Sequence, residues 1–279
     1  MNIGFYPGCS LKGTASDYTQ SAVALAKAFD ICFTEIEDWN CCGATAAHNL
    51  NRQLAGALPA RVLALAEKQG MNEIVVPCAA CYNRLTVAQH EWNEDPVLKN
   101  RLSGIIGMPL EGKCKILNII QFIEKYIAGK IEEKIVSPFN RRVVCYYGCL
   151  LLRPHSILQF DRLEDPQSME EVMRKTGAEP LDWGFKTECC GGGLSVSRTG
   201  VVAKLSGKIV QDAENRKAEA IIVACPMCQS NLDMRRKHID RYIGRKTTIP
   251  VMYITQTIGL AIGLKREKLG LEKLFVTPV

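Results

Sequence analysis

Ten of the thirteen cysteines in this 279-residue chain fall into two copies of one pattern. The first copy is Cys9, Cys41-Cys42-Gly43 and Cys78-x-x-Cys81. The second is Cys149, Cys189-Cys190-Gly191 and Cys225-x-x-Cys228, at offsets of 140, 148 and 147 residues. Neighbouring residues repeat as well: Gly8-Cys9 matches Gly148-Cys149, and Val75-Val76-Pro77-Cys78 resembles Val223-Ala224-Cys225-Pro226. A repeat of this kind means a duplicated domain. Cys32, Cys114 and Cys145 have no counterpart in the other copy and read as small buried hydrophobes.

Clustered thiols in a reducing compartment point to metal ligation or redox chemistry. Three chemistries are open to them. Zinc takes four N or S ligands in a tetrahedron, and C-x-x-C is a familiar half-site. Each half, however, offers five cysteines, two of them adjacent, and His48, His90, His155 and His238 share no position between the copies. An iron–sulfur cluster is thiolate-rich and polynuclear, so adjacent cysteines can serve different metal atoms. A thioredoxin-like dithiol needs one exposed C-x-x-C at a helix start and leaves both Cys-Cys-Gly triplets unexplained. The count favours iron–sulfur. Gly43 and Gly191-Gly192-Gly193 suit it, because bare backbone can approach inorganic sulfide and donate N–H bonds. Pro77 and Pro226 stiffen the two C-x-x-C loops.

The elements that must position these thiols follow from hydrophobic spacing. Ile3–Tyr6 and Arg142–Tyr147 read as strands running into Gly-Cys turns. Ile31–Ile36 and Glu179–Trp183 are extended segments leading to each Cys-Cys-Gly, and Glu73–Val76 and Ala220–Ala224 are buried strands ending at each C-x-x-C. Between them lie helical patterns: Asp17–Phe29, Leu50–Gln69 with a break or kink at Pro59, Asn83–Trp92, Met169–Thr176 with Ser168 as N-cap and Glu171 completing a capping box, Val201–Lys217, and Gln229–Tyr242. Strand–helix alternation predicts an α/β fold of two duplicated, pseudo-twofold-related domains, each a small, mostly parallel sheet flanked by helices. All three cysteine stations then sit at the strand ends where open sheets bind ligands. The charged stretch Ile127–Phe139, with Pro138, marks the boundary between an N-terminal domain at 1–138 and a C-terminal domain at 139–279.

Composition excludes several other functions. Lys and Arg number 35 against 29 Asp and Glu, a net charge of +6 with no basic block of the kind nucleic acid needs. The best candidate for a membrane span, Ile258–Leu264, is far too short for one. The start, MNIGFYPGC, lacks a charged leader followed by an apolar run, so a cytoplasmic location is expected. Leu117–Tyr126 and Ile249–Leu264 carry more apolar residues than one buried face requires, which predicts a docking surface.

The motifs C-x(31)-CCG-x(34)-CxxC and C-x(39)-CCG-x(33)-CxxC, with the stretches YPGCS, GCLLLRP at 148–154, GAEPLDW at 177–183 and Lys186 ahead of Cys189-Cys190, resemble the heterodisulfide reductase B-subunit family, which has two CCG domains. The likeness covers nearly the whole chain and keeps all ten cysteines. The second motif departs from the family in continuing as GGG. The resemblance implies a noncubane [4Fe-4S] cluster on each set: Cys9, Cys41, Cys42, Cys78 and Cys81, and Cys149, Cys189, Cys190, Cys225 and Cys228. It further implies a small disulfide substrate, CoM-S-S-CoB or an analogue, between the clusters. Electrons would come from a ferredoxin-like iron–sulfur subunit of the family's C type, fed by a flavin and iron–sulfur subunit of the A type. Family members also occur in organisms that make no methane, in complexes with other acceptors. Two one-electron centres facing one cleft would match a two-electron substrate, and Arg153, His155 and Lys186, near cluster cysteines in sequence, are candidates to supply protons or charge.

Overall fold

The computed structural model describes residues 1–44 and 47–278, with the side chain of His48 outside the described set. In the first half the elements run β1 (Asn2–Phe5), α1 (Gly8–Lys12), α2 (Ser16–Ala28), β2 (Cys32–Glu35), α3 (Ala47–Leu50), α4 (Arg52–Lys68), β3 (Glu73–Val76), α5 (Ala79–Glu94), α6 (Pro96–Ile106), β4 (Lys115–Asn118) and α7 (Ile119–Tyr126). The second half runs β5 (Arg142–Tyr146), α8 (Ser168–Lys175), β6 (Glu179–Pro180), α9 (Thr199–Asn215), β7 (Ala220–Val223), α10 (Pro226–Gln229), a π turn (Ser230–Met234), α11 (Arg236–Ile243), β8 (Val251–Tyr253), α12 (Ile254–Ala261) and α13 (Arg266–Leu269).

Each half forms one all-parallel, four-stranded sheet, in the orders β2-β1-β3-β4 and β6-β5-β7-β8. The topology is the same in both, as duplication requires. In each, the strand order reverses beside the first strand, between β1 and β3 or between β5 and β7. Ligands of open parallel sheets bind at that reversal, outside the strand ends. Cys9 follows β1 and the first C-x-x-C follows β3, so they flank one reversal; Cys149 and the second C-x-x-C flank the other.

Four strands, not three, make each sheet. The spacing in Leu117–Tyr126 suggests helix throughout, but Lys115–Asn118 is a strand and the helix starts only at Ile119. Asn118 and Gln121 form the capping box that switches one into the other. At the β8–α12 junction only the reciprocal half is made, Tyr253 N–H donating to Gln256 Oε1 at 2.9 Å. Three more expectations are corrected. Ser168 is the first residue of α8 and caps nothing; Gln167 precedes it without a side-chain cap. The Gln229–Tyr242 helix is divided by the π turn. α4 continues unbroken through Pro59.

The apolar surplus of Leu117–Tyr126 and Ile249–Leu264 is not a docking surface. Ile119, Ile120, Phe122 and Ile123, like Val251, Tyr253, Ile254 and Ile258, lie wholly within one core that spans both halves. Helices exchange sides to build it: α2 of the first half packs on α12 of the second, while α8 of the second packs on α7 of the first. Tyr18 of α2 stacks on Tyr253 with ring centroids 3.8 Å apart and 3° between planes. Its hydroxyl donates to Ala224 O at 3.1 Å, and Ser21 Oγ meets Thr255 Oγ1 at 2.8 Å. The C-terminal segment then folds back over α2, where Lys273 Nζ donates to Ser16 Oγ at 2.9 Å and Gln20 Nε2 donates to Glu267 O.

Asp17, in the first turn of α2, is buried beneath this segment at 4% exposure. Burial raises its carboxyl to about 6, with Asp233 adding and Lys273 opposing. The folded chain therefore keeps this proton up to about pH 6, whereas the unfolded chain releases it at about pH 4. Stability falls as pH rises through that window, and the loss is complete above it. Asp17→Asn is expected to gain on the order of 2 kcal/mol over wild type at about pH 8 and nothing at about pH 3. Denaturant midpoints at the two pH values check this; equal offsets at both would refute it.

Candidate metal centres

All thirteen cysteines are free thiols. In the first set Cys42 Sγ lies 3.2 Å from Cys81 Sγ, and in the second Cys190 Sγ lies 3.7 Å from Cys228 Sγ. Gly43 N–H donates to Cys41 Sγ at 3.4 Å, and Gly191 N–H to Cys189 Sγ at 3.3 Å. The glycines before Cys9 and Cys149 are equally particular. Gly8 and Gly148 have φ of +63° and +68°, and a Cβ on either would sit 3.0 Å from the sulfur of Cys81 or Cys228. Both close approaches need a residue without a side chain.

The thiols act chiefly on one another. Hydrogen bonds from Cys41 and Cys81 draw the Cys42 thiol well below its usual range, while Cys41 and Cys81 rise in return. A bond from Cys149 lowers Cys189 in the same way, and one from Cys228 lowers Cys190. Cys78 and Cys225, one from each half, also interact directly: Cys225 accepts from Cys228 and Cys78 and is lowered, and Cys78 rises. The two sets thus adjoin at their C-x-x-C loops. Cys9, Cys41 and Cys189 are exposed, and the C-x-x-C cysteines are buried. A small space of about 20 Å³ is lined by Cys149, Cys190, Cys225 and Cys228 together with Ala79 of the first half. Among the described residues, no three His, Cys, Asp or Glu groups are placed to hold a single metal ion.

Two tyrosines at the heart of the sets escape a reading based on cysteine spacing. Tyr6 OH donates to Asn40 O at 2.7 Å and Tyr146 OH to Glu188 O at 2.6 Å, in each case the carbonyl just before the Cys-Cys pair. Burial, then the surrounding thiols, raise both hydroxyls far above their ordinary range. Each tyrosine clamps its Cys-Cys-Gly loop. The signal was present: Tyr6-x-Gly-Cys and Tyr146-x-Gly-Cys repeat in register with the cysteines.

The cysteines outside the pattern are separate from these sets. Cys145 is wholly buried in β5, with its carbonyl accepting from Trp183 Nε1. Burial and the nearby Glu67 push the Cys114 thiol up to about 12; Cys32, expected to be buried, is instead exposed at the start of the edge strand β2. Arg153, His155 and Lys186 do not converge. Lys186 Nζ is buried between Asp165 at 2.6 Å and Glu170 at 3.0 Å, while its carbonyl accepts from the N–H groups of Tyr147 and Gly148. Arg153 is exposed and pairs with Glu164 at 3.7 Å; His155 is exposed. From the first half, Asn83 Nδ2 donates to Leu150 O at 3.2 Å and Arg153 O at 2.6 Å, pinning the turn that carries Cys149.

Paired sheets that each deliver a Gly-Cys turn, a Cys-Cys-Gly loop and a C-x-x-C define a cysteine-rich domain, and the chain belongs to that family, CCG, matching over residues 3–86 and 143–233. Among curated relatives it is 27% identical over 280 residues to the B subunit of the Ferredoxin/F(420)H(2)-dependent CoB-CoM heterodisulfide reductase of Methanosarcina acetivorans, covering 97% of this chain and 92% of that one. It is 28% identical over 285 residues to a protein of Archaeoglobus profundus described as like the B subunit of heterodisulfide reductase, covering 97% and 93%. It is also 28% identical over 273 residues to the 8-methylmenaquinol:fumarate reductase membrane anchor subunit of Wolinella succinogenes, covering 96% and 95%. Among the described residues of this chain, no helix is long and apolar enough to cross a membrane. A solved hypothetical protein from Helicobacter pylori shares the fold, with a TM-score of 0.82 at 12% identity over all of this chain and 52% of that one, about half its length.

Proposed function

We propose that each half, 1–138 and 139–279, holds a noncubane [4Fe-4S] cluster on its five cysteines, and that the chain is the disulfide-reducing subunit of a cytoplasmic heterodisulfide reductase-type complex. The reaction is RS–SR′ + 2e⁻ + 2H⁺ → RSH + R′SH, with electrons arriving from a ferredoxin-like iron–sulfur subunit fed by a flavin and iron–sulfur subunit. The observation that carries this reading is that Ala79, next to Cys78 of the first set, lines one small space together with Cys149, Cys190, Cys225 and Cys228, which makes two duplicated thiol sets neighbours. The donor chemistry fits such a group. The sets are all sulfur, five to a half, with Cys42 against Cys81 and Cys190 against Cys228, and two in each half are adjacent in sequence. That suits several metal atoms rather than one. A cluster supplies single electrons at a potential set by its ligands and their hydrogen bonds.

The protein's own part is holding and shielding. Tyr6 and Tyr146 fix the Cys-Cys-Gly loops, Gly43 and Gly191 donate to sulfur, and the buried C-x-x-C loops exclude water. Lys186, tied to two carboxylates, acts through its carbonyl to fix the Tyr147–Gly148 turn ahead of Cys149. His155 remains the solvent-facing group of the second set's turn from which a proton can be drawn, and Arg153, always protonated, supplies charge only.

The fumarate reductase relative, aligned as fully as the disulfide reductase relatives, favours a second reading: a relay to a different acceptor. Purified, iron-loaded protein given reduced viologen and a series of heterodisulfides separates the two. Thiol release with turnover is expected; a protein that accepts electrons yet cleaves no disulfide would establish the relay.

A further inference from the structure

The two thiol sets differ in one donor. Both receive the glycine N–H bond to the first cysteine of the Cys-Cys pair. Among the described residues only the second receives a side-chain amide. Asn231 Nδ2 lies 3.4 Å from Cys190 Sγ, 3.4 Å from Cys190 O and 3.1 Å from Gly192 O. The residue is 1% exposed, and its Oδ1 is buried with no hydrogen-bond partner. An unpaired buried acceptor costs about 1–3 kcal/mol, so this amide is kept in place at some expense. It sits in a π turn, Ser230–Met234, shortly after Cys228, a rare form frequent at functional sites. In the first half α5 continues as regular helix from Ala79 to Glu94, and the residue at the matching offset is Arg84. Arg84 lines an outer groove with Arg52 and Arg101, and the sulfur of Cys42 has Cys81 beside it, as that of Cys190 has Cys228, but among the described residues no side-chain amide.

We propose that Asn231 sets the reduction potential of the second site above that of the first, so that electrons come to rest on the Cys190 side. This rests on the reading that each five-cysteine set holds an iron–sulfur cluster. An N–H bond to a ligand sulfur stabilises the reduced, more negative state, and such bonds are a main control of cluster potential. Asn231 touches a ligand and not a substrate. It is a positioning residue, and its effect reads out as a potential.

The test is a redox titration followed by EPR on full-length, iron-loaded protein. A Cys42→Ser background isolates the second site, and a Cys190→Ser background isolates the first. The second site is expected at the higher midpoint. Asn231→Leu, with similar volume and no donor, should lower that midpoint, and Asn231→Asp, which puts a carboxylate beside the sulfur, should lower it further. If the Leu variant does not fold, the Asp variant, with the same shape, carries the measurement. Ser206→Ala is the control, since Ser206 Oγ bonds Cys190 O at 3.0 Å without touching sulfur; it should leave the midpoint in place. A midpoint unmoved in the Asn231 variants, or moved equally by Ser206→Ala, overturns the inference and leaves the cluster reading intact. Wild-type protein that takes up neither iron nor sulfide overturns both.

Discussion

Cys42→Ser protein is expected to carry about half the iron and acid-labile sulfide of the wild type and to keep the second site's EPR signal, because a cluster is held only by its own thiolate set. Cys190→Ser should give the mirror result. The structural basis is local. Cys42 has its sulfur neighbours in Cys41 and Cys81 of its own half, and Cys190 has Cys228. Cys32→Ser and Cys114→Ser should leave metal content unaltered, since both residues stand outside the sets. Cys78→Ser differs, because its partner Cys225 belongs to the other half; both signals should change. Loss of all iron from a folded Cys42→Ser chain would mean that the two sites are not separate.

The second large effect concerns the seam between the halves. Tyr18→Ala removes a wholly buried ring, its stack on Tyr253 and its bond to Ala224 O. Deleting a buried aromatic of this kind costs about 3–5 kcal/mol, a large share of a typical domain's stability. Tyr18→Phe keeps the ring and loses only the hydroxyl, so its cost should be about 1 kcal/mol. Ala224 immediately precedes Cys225, so the Ala variant should also weaken iron retention at the second site, though Tyr18 belongs to the first half. Denaturant midpoints and iron content after dialysis against a chelator measure both. A Tyr18→Ala protein as stable as wild type would show that the seam contributes little.

What could be read from sequence and what could not divides along physical lines. The strands and helices that carry the cysteines were legible because each ends in a chemically marked turn. β4 was hidden because Lys115–Asn118 runs straight into α7, and KILNIIQFIEKY offers no break between period two and period 3.6. The capping pair Asn118 and Gln121 was the available sign. Leu117–Tyr126 was misjudged as surface for a related reason. Spacing reports how much apolar surface a segment has and not what covers it, and the cover, α8, comes from the other repeat. Asn231 lay close to the motif, but its donor acts across a turn in three dimensions and has no counterpart in the other repeat; Tyr6 did repeat as Tyr146, although the carbonyl each reaches is fixed only by the fold. Whether Lys186 faces a thiol or a carboxylate depends on Glu170 and Asp165, which sequence alone does not place beside it.

The return of the C-terminus over α2 has a consequence for how the protein is made. Translation delivers Cys9 through Cys81 early, along with every strand of the first sheet. In many chains that would let the first repeat fold while the rest is still being made. Here the outer face of α2 is covered by α12 and α13, and Tyr18 finds Tyr253 only near the end of synthesis. The first repeat therefore leaves the ribosome with an unfinished side, and the second cannot fix Ala224 or the Cys149 turn without Tyr18 and Asn83. Each repeat completes the other. Both thiol sets therefore reach their final surroundings only once the whole chain has been made, and a variant that stops short of Tyr253 should leave even the first set unfinished.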